Sequence, residues 1–307
     1  MENLIVVVSC YKGDFFLTKI CVASIKYYHP EAEVYLLKDS LAGYFDSSEL
    51  EKAFQVQVLD LGIDKYGWGA AKVHFILSNK FKNQRVFILD SDIVFVGRFL
   101  RELFDNTKGM DFVVNPDYYQ TPYEGTVPLH YYRFDNIKKF DPAFSFIGYV
   151  FNTGHLIVTP NKLTASDAES LFDIEMLPYY KRLDILPQVD QSLFNYLLPK
   201  MSQQELLTLK EVPFMIWSDG PEAKALVLRE VQEGNTYPFL IHWAGVTRIP
   251  NLDKMTRSDI LHFFQDYYYS KVPLGNLKKL LHMAQARADY HLRGWYRSVI
   301  KSIPRKS

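Results

Sequence analysis

Two acidic residues, Asp90 and Asp92, lie two positions apart inside an otherwise apolar stretch. Apolar residues precede the pair over 86–89 and follow it over 93–96. In an extended chain, residues i and i+2 point to the same side with Cα atoms about 6.6 Å apart, so both carboxylates can reach one cation. Because a bare buried carboxylate costs several kcal/mol, a shared divalent ion would relieve the penalty. Hard oxygen ligands predict Mg²⁺ or Mn²⁺ at this position.

A purely structural interpretation of the pair stays open. One aspartate would then cap the following helix, and the other would be solvated at the end of a strand. The apolar flanks favour the metal site, but aspartates two positions apart are common by chance. The interpretation therefore depends on the elements that position the pair.

These elements alternate between strands and helices. Apolar and β-branched residues predict strands at Leu4–Val8, Glu33–Leu37, Val56–Leu59 and Arg85–Leu89. Helical spacing predicts helices from Leu17 to Tyr28, over Ser47–Phe54 and over Gly69–Asn79. The alternation is typical of an α/β fold, in which a mainly parallel sheet carries helices on both faces.

Parallel sheets bind ligands at the carboxyl ends of their strands, and three of the predicted strands end in polar residues. These ends are Ser9 to Lys12, Lys38-Asp39 and Asp90 to Asp92. The sequence has no GxGxxG after the first strand and no GxxxxGK[ST]. Dinucleotide-binding dehydrogenases and P-loop NTPases are therefore disfavoured.

The middle of the chain is less regular. Residues Asn115–Phe134 are rich in Tyr and Pro and predict a long loop or lid, of the kind that often carries function. Beyond it, Val150–Val158 and Phe239–His242 predict strands, and Pro187–Leu198 predicts a helix entered through Asp190. Several aromatic residues can either stack on sugar rings or pack against the core. They are Trp68, Tyr118, Tyr119, Tyr123, Tyr131 and Tyr132.

Four segments follow one another in a recognisable order. The first segment runs from Gly69-Ala70-Ala71-Lys72 through the aspartate pair to Leu103-Phe104-Asp105. The others are Phe151-Asn152-Thr153-Gly154, Asp190 to Asn195, and His242 to Arg248. Together they resemble the GT-A glycosyltransferases, most strongly the retaining family eight, which includes glycogenin and the bacterial lipopolysaccharide galactosyltransferases. The family commonly follows its late histidine with Lys-Pro-Trp, where this chain has Arg248-Ile249-Pro250.

The resemblance implies a GT-A fold, with a mainly parallel central sheet flanked by helices, and a role for each matching residue. It places Mn²⁺ or Mg²⁺ on Asp90, Asp92 and His242, and the imidazole ligand favours Mn²⁺. It places Asp190 and Gln191 beside the reacting anomeric carbon. The remaining residues would contact the nucleotide-sugar donor: Ser9, Tyr11, Asp39, Lys72, Ser91, Asn152, Gly154, Gly245 and Arg248.

For several of these residues a purely structural role stays open beside the role that the resemblance implies. Asp190 can be a helix N-cap, and Lys72 can be a solvated residue on a helix face. Asn152 and Gly154 can belong to a bulge in a strand, and His242 can be a structural histidine.

The reaction would build negative charge on the leaving diphosphate, which the metal, Lys72 and Arg248 would stabilise. In a retaining enzyme the leaving phosphate can accept the proton of the acceptor, and Asp190 or Gln191 would stabilise the anomeric carbon. In an inverting enzyme Asp190 would be the general base. The residues alone leave the retaining and the inverting mechanism open, and only the resemblance favours retention.

Charge is distributed unevenly along the 307 residues. The formal net charge is zero, so the global basic field of a nucleic-acid-binding protein is missing. Residues 271–307, however, carry nine Lys and Arg against one acidic residue, Asp289. Apolar residues recur there at near-helical spacing, which predicts a basic amphipathic helix. It would bind an anionic membrane surface or pack on the protein itself or on a second subunit.

The sequence therefore predicts a GT-A domain over 1–270 and a tail over 271–307. The domain comprises a nucleotide-binding half, 1–97, and a sugar and acceptor half, 98–270. The N-terminus is typical of a strand, and no apolar run is long enough to span a membrane. Cys10 and Cys21 form no zinc or disulfide pattern. We expect a cytoplasmic protein that can associate peripherally with a membrane.

The predicted function is metal-dependent transfer of a sugar from a nucleotide-diphosphate donor, expected to be a UDP-sugar, to a glycan or glycolipid acceptor. One alternative is a sugar nucleotidyltransferase, which would carry a Gly-rich basic loop after the first strand. Here that segment has a single glycine, Gly13. Another is a non-catalytic protein that binds nucleotide sugars or carbohydrate.

Overall fold

The first strand, β1 (Ile5–Tyr11), lies between two layers of hydrophobic residues. Val6 and Val8 belong to one buried cluster, and Ile5 and Val7 belong to a second. Because successive side chains of a strand point to opposite faces, the sheet is covered on both sides. The computed structural model describes residues 2–67, 69–119, 121–177, 179–244 and 251–285, together with Ala288 and Leu292.

Seven strands form the central sheet in the order β3-β2-β1-β4-β7-β6-β8. Besides β1 they are β2 (Glu33–Asp39), β3 (Gln57–Val58), β4 (Val86–Asp90), β6 (Phe112–Tyr118), β7 (Val150–Val158) and β8 (Leu209–Glu211). Strand β7 runs antiparallel to its neighbours β4 and β6, and the other four pairings are parallel. The predicted mainly parallel sheet is confirmed.

Helices cover both faces of the sheet. The cluster with Val6 and Val8 contains residues of α1 (Phe15–Tyr28) and α11 (Ser258–Lys271), and the other cluster contains residues of α3 (Ala70–Leu77) and α8 (Val189–Gln203). The remaining helices are short: α2 (Ser48–Phe54), α4 (Leu100–Asn106), α5 (Val127–His130), α6 (Phe134–Phe140), α7 (Ala165–Ala168), α9 (Pro221–Ala225) and α10 (Leu228–Glu233).

A second, smaller sheet was not predicted. It comprises β5 (Ile93–Phe95), β10 (Leu240–His242) and β9 (Met215–Trp217) in the order β5-β10-β9. The aspartate pair therefore does not lie in an extended stretch, contrary to the expectation from its spacing. Strand β4 ends at Asp90, Ser91 and Asp92 form a turn, and β5 enters the other sheet.

The prediction of a long loop over Asn115–Phe134 was wrong in part. Strand β6 continues to Tyr118, and α5 and the start of α6 lie in the same segment. The polar residues of β6 have tertiary partners that the sequence does not reveal. Oδ1 of Asn115 accepts hydrogen bonds from the backbone N–H groups of Phe214 and Met215, at 2.7 and 3.0 Å.

The first part of the tail is helical over residues 275–285. Its polar side contacts the domain, because Lys278 pairs with Glu49 and Lys279 pairs with Asp266. Its leucines face away, and Leu280 is 66% exposed. Among the described residues, no helix is long and apolar enough to cross a membrane.

Candidate functional site

A cavity of about 230 Å³ lies at the carboxyl ends of β1, β2 and β4. The middle of β7, the start of α8 and the end of β10 close its other side. Twelve of the fourteen predicted site residues line this one cavity: Ser9, Tyr11, Asp39, Lys72, Asp90, Ser91, Asp92, Asn152, Gly154, Asp190, Gln191 and His242. The other two, Gly245 and Arg248, lie outside the described residues.

Asp90, Asp92 and His242 converge within this cavity. Each contributes one ligand atom, and these atoms lie within 4.8 Å of one another. Nε2 of His242 lies 3.3 Å from Oδ1 of Asp92, and both residues are buried. Two ligands on opposite sides of a divalent ion lie about 4–5 Å apart, so the two carboxylates and the imidazole fit one ion. The three residues therefore form a possible metal site.

The small sheet brings Asp92 and His242 together. In its register His242 on β10 lies opposite Ile93, which directly follows Asp92. The backbone N–H of Trp243 donates a 3.0 Å hydrogen bond to the carbonyl oxygen of Asp92. The turn after β4 thus ends against β10, and this contact places the second aspartate beside the histidine.

Lys72 lies buried between two carboxylates of the cavity. Its Nζ is 3.0 Å from Oδ1 of Asp90, 3.0 Å from Oδ2 of Asp190, and donates a 2.9 Å hydrogen bond to the carbonyl oxygen of Thr153. Burial alone would lower the pKa of Lys72, but the carboxylates of Asp190 and Asp90 more than offset it, so this pKa is raised. The alternative of a solvated lysine is wrong because the side chain is 5% exposed.

Asp90 is the most accessible of the three possible metal ligands, with 31% of its side chain exposed. Burial of its carboxylate raises its pKa, although the ammonium group of Lys72 counteracts part of this rise. The charge of Asp92 also raises it. A further cation beside Asp90 would therefore favour its ionised form.

Asp190 and Gln191 are the second and third residues of α8 and face β7. Oδ2 of Asp190 accepts a 3.1 Å hydrogen bond from the hydroxyl of Thr153 in addition to its pair with Lys72. Asp190 lies inside the helix, whose N-cap position is Gln188, so the N-cap alternative is wrong. Oε1 of Gln191 accepts from the amide of Asn152 at 3.1 Å, and its own amide donates to the carbonyl of His130 at 2.8 Å.

Asn195 fixes α8 against β7. Its amide donates to the carbonyl oxygen of Phe151 at 2.8 Å, and its Oδ1 accepts from the N–H of Phe151 at 3.0 Å. The same amide bonds the carbonyl oxygen of Gln191. The asparagine of the Asp190–Asn195 segment therefore sets the position of the residues before it.

Asp39 holds the backbone of a neighbouring loop. Its Oδ1 accepts from the N–H groups of Leu41 and Tyr66, and its Oδ2 accepts from the N–H of Gly67. The loop leads to Gly69, which has a φ of +73°, and a Cβ there would lie 2.4 Å from Oδ1 of Asp190. Both the φ value and the close approach require glycine.

Asp14 is a buried acid in the cavity that sequence reasoning missed. Its Oδ1 accepts from the N–H of Tyr11 at 3.1 Å, and its Oδ2 accepts from the hydroxyl of Ser91 at 2.5 Å. It thereby links the end of β1 to the turn that carries the aspartate pair. No local pattern distinguishes Asp14, since it directly precedes an ordinary helix.

The predicted aromatic residues divide into two groups. Tyr131 and Tyr132 are fully buried in the core, so of the two alternatives core packing holds for these residues. Tyr119 and Tyr123 are exposed and stay candidates. Trp68 and the side chain of Tyr118 lie outside the part that the structure describes.

No protein-family model and no curated protein matches the sequence. Solved structures do match. The bifunctional glycosyltransferase WbbM in its apo form has a TM-score of 0.55 and 14% identity over 89% of this chain and 50% of that chain. This chain thus spans about half the length of WbbM.

The galactosyltransferase LgtC, solved with donor and acceptor sugar analogues, has a TM-score of 0.52 and 16% identity over 88% of this chain and 98% of that chain. An active-site mutant of LgtC has a TM-score of 0.50 and 14% identity over the same shares. At such identities the likeness establishes the fold, and the chain has the GT-A fold of these glycosyltransferases.

Proposed function

We propose that the protein is a metal-dependent glycosyltransferase that uses a nucleotide-diphosphate sugar. The observation that carries the proposal is the convergence of Asp90, Asp92 and His242 in a cavity that Asp190 and Gln191 also line. That cavity lies at the carboxyl ends of parallel strands, where α/β sheets bind ligands.

The charge of the cavity supports metal dependence. Five carboxylates line its described part, and Lys72 is the one ammonium group there. Lys72 is already paired with Asp90 and Asp190. A donor diphosphate entering this cavity would be repelled by the acids unless a divalent cation compensated them. The acids are Asp14, Asp39, Asp90, Asp92 and Asp190.

Asp90, Asp92 and His242 would hold Mn²⁺ or Mg²⁺, with Mn²⁺ favoured by the imidazole. When bound, the ion would stabilise charge on the leaving diphosphate. Lys72 lines the same cavity and would stabilise charge on the same leaving group. Asp190 offers a carboxylate to the positive charge that develops on the anomeric carbon. We infer that the donor is a UDP-sugar, that the acceptor is a glycan or glycolipid, and that configuration is retained.

The test combines donor screening with one ligand substitution. Nucleotide sugars are screened by thermal shift with and without Mn²⁺, because a true ligand raises the melting temperature by mass action. Donor hydrolysis and transfer are then measured for the wild type and for Asp92→Ala. We expect Asp92→Ala to abolish metal-dependent donor binding while the fold survives. Asp184→Ala, at an exposed surface position, is the control.

Turnover that Asp92→Ala leaves unchanged would contradict the metal assignment. Donor binding without any turnover would identify a non-catalytic binding protein instead. Release of diphosphate from a sugar phosphate and a nucleoside triphosphate would identify a nucleotidyltransferase.

We further propose that residues 271–307 form a tail that docks the 1–270 domain on an anionic membrane surface. The described part of the tail turns Lys278 and His282 toward the domain and leaves Leu277, Leu280 and Leu281 exposed. Exposed leucines along one side of a helix suit the apolar face of an interfacial helix. Deletion of 271–307 should weaken flotation with anionic vesicles more than donor binding. Equal flotation of the truncated protein would reject the tail as the membrane contact.

A further inference from the structure

Trp217 on β9 lies directly against the imidazole of His242. The two residues are register partners in the small parallel pair β9–β10. Their ring centroids are 5.2 Å apart with an interplanar angle of 19°, which is a stacked arrangement. On another side, the ring of His155 meets His242 edge-on, with centroids 5.8 Å apart and an angle of 89°. The plane of the imidazole is therefore fixed by aromatic contacts.

The indole of Trp217 is fixed in turn by Asp117. Its Nε1–H donates a 3.0 Å hydrogen bond to Oδ1 of Asp117 on β6. The hydroxyl of Tyr131 donates to Oδ2 of the same carboxylate. Burial raises the pKa of Asp117, and these two hydrogen bonds offset part of the rise. Both oxygens of this partly buried carboxylate are therefore engaged, one by the indole and one by the phenol.

His242 lacks such support from hydrogen bonding within the described residues, where its Nδ1 has no partner. Metal-ligating histidines commonly donate this second nitrogen to a carboxylate or carbonyl, which orients the ring. Here the ring plane depends on stacking instead. A chain of contacts thus runs from Tyr131 through Asp117 and Trp217 to His242.

We propose that Trp217 is the positioning residue for His242, and that Asp117 acts on the metal site through Trp217. The inference rests on the proposed function, in which His242 is a metal ligand. Stacking holds Nε2 toward Asp92, and the hydrogen bond from the indole to Asp117 stops the indole from rotating away. Without the indole the imidazole would sample other rotamers, and metal affinity would fall.

The experiment measures Mn²⁺ affinity of the donor-free protein by isothermal titration and by the electron paramagnetic resonance signal of free Mn²⁺. Supporting groups of metal ligands change affinity by about 10–100-fold when they are removed. We expect a loss of about tenfold or more for Trp217→Leu and a smaller loss for Trp217→Phe, which keeps an aromatic face. Saturating Mn²⁺ should restore most of the turnover of both variants.

Substitutions at Asp117 separate the hydrogen bond from the charge. Asp117→Asn keeps an oxygen acceptor for the indole, so the Mn²⁺ affinity of this variant should stay within about threefold of the wild type. Asp117→Ala has no acceptor, so its Mn²⁺ affinity should fall. In a Trp217→Phe background, Asp117→Ala should not lower the Mn²⁺ affinity further. The phenylalanine has no indole N–H, so the hydrogen bond through which Asp117 acts is already missing.

Two outcomes would overturn the inference alone. One is that Trp217→Leu binds Mn²⁺ with the affinity of the wild type, while Asp92→Ala abolishes Mn²⁺ binding. The other is an equal loss in Asp117→Asn and Asp117→Ala, which would show that charge acts directly. A wild type that binds no Mn²⁺ would overturn the proposed function and this inference together. Thermal unfolding of each variant without metal checks that the fold is intact.

Discussion

A Cβ atom on Gly154 would lie 2.5 Å from Cε1 of His242, which is closer than non-bonded carbon atoms approach each other in proteins. It would also lie 2.8 Å from Oδ1 of Asn152 and 3.0 Å from Oδ2 of Asp90. Gly154 is not among the glycines with positive φ, so its backbone is open to other residues. Glycine is required here because β7 passes so close to His242 and Asp90.

Gly154→Ala should therefore damage the metal site without unfolding the protein. The added methyl group must displace His242 or Asp90, so we expect Mn²⁺ affinity to fall about tenfold or more. Calorimetric titration measures the affinity, and circular dichroism checks the fold. Gly109→Ala is the control, since its Cβ would meet nothing within 4 Å. That variant should lose about 1 kcal/mol through its positive φ and keep its affinity. Normal metal binding by Gly154→Ala would contradict the assigned role.

Lys72→Met should destabilise the metal-free protein strongly. Removing the ammonium group leaves Asp90 and Asp190 without their buried counter-ion, which typically costs about 3–5 kcal/mol. Urea unfolding without metal measures the loss. Excess Mn²⁺ should recover part of it by binding to the folded state. Arg229→Met, which breaks an exposed pair with Glu233, should cost less than about 1 kcal/mol. Equal losses in the two variants would show that the Lys72 pairs contribute little.

Asp190→Asn should impair the chemical step more than donor binding. Asparagine keeps an acceptor for the hydroxyl of Thr153 but removes the negative charge that we propose stabilises the anomeric carbon. We expect turnover to fall at least about a hundredfold at saturating donor, with a small change in donor affinity. Nuclear magnetic resonance of the wild-type product should show retained configuration. An inverted product would instead assign Asp190 as a general base, and unchanged turnover would exclude it from catalysis.

Acidification should destabilise the protein in part through His74. Burial among aromatic residues lowers the pKa of His74 to about 4, against an ordinary value of 6.5. Between these values the unfolded chain binds the proton that the folded chain excludes. The contribution of His74 to the free energy of unfolding is therefore fully present above pH 6.5 and is lost as the pH falls toward 4. Between pH 7 and pH 5 the free energy of unfolding should fall by about 2 kcal/mol through His74.

His74→Leu removes this titrating group and should flatten the pH dependence of urea unfolding between pH 7 and pH 5. Other buried groups, such as His155, titrate in both proteins and cancel in the comparison. An unchanged slope in the variant would show that His74 is protonated at its ordinary pKa in the folded state.

The sequence by itself determined the local elements and the place of the site. The apolar runs at Leu4–Val8 and Arg85–Leu89 predicted buried strands, and β1 and β4 contain most of them. The polar residues after these strands, including Asp90, lie at one edge of the sheet as expected. Hydrophobic periodicity is a local property, so it specifies strands, helices and the ends at which a parallel sheet binds ligands.

Only the tertiary structure decided which residues support that site. Trp217 and Asp117 are 100 positions apart, and Lys72 and Thr153 are 81 positions apart. Such contacts depend on how two sheets and α8 pack, and no spacing along the chain encodes them. The small sheet escaped prediction because β5 continues the apolar run of β4 after a two-residue turn. Its pairing with β10, more than a hundred residues away, is what places Asp92 beside His242.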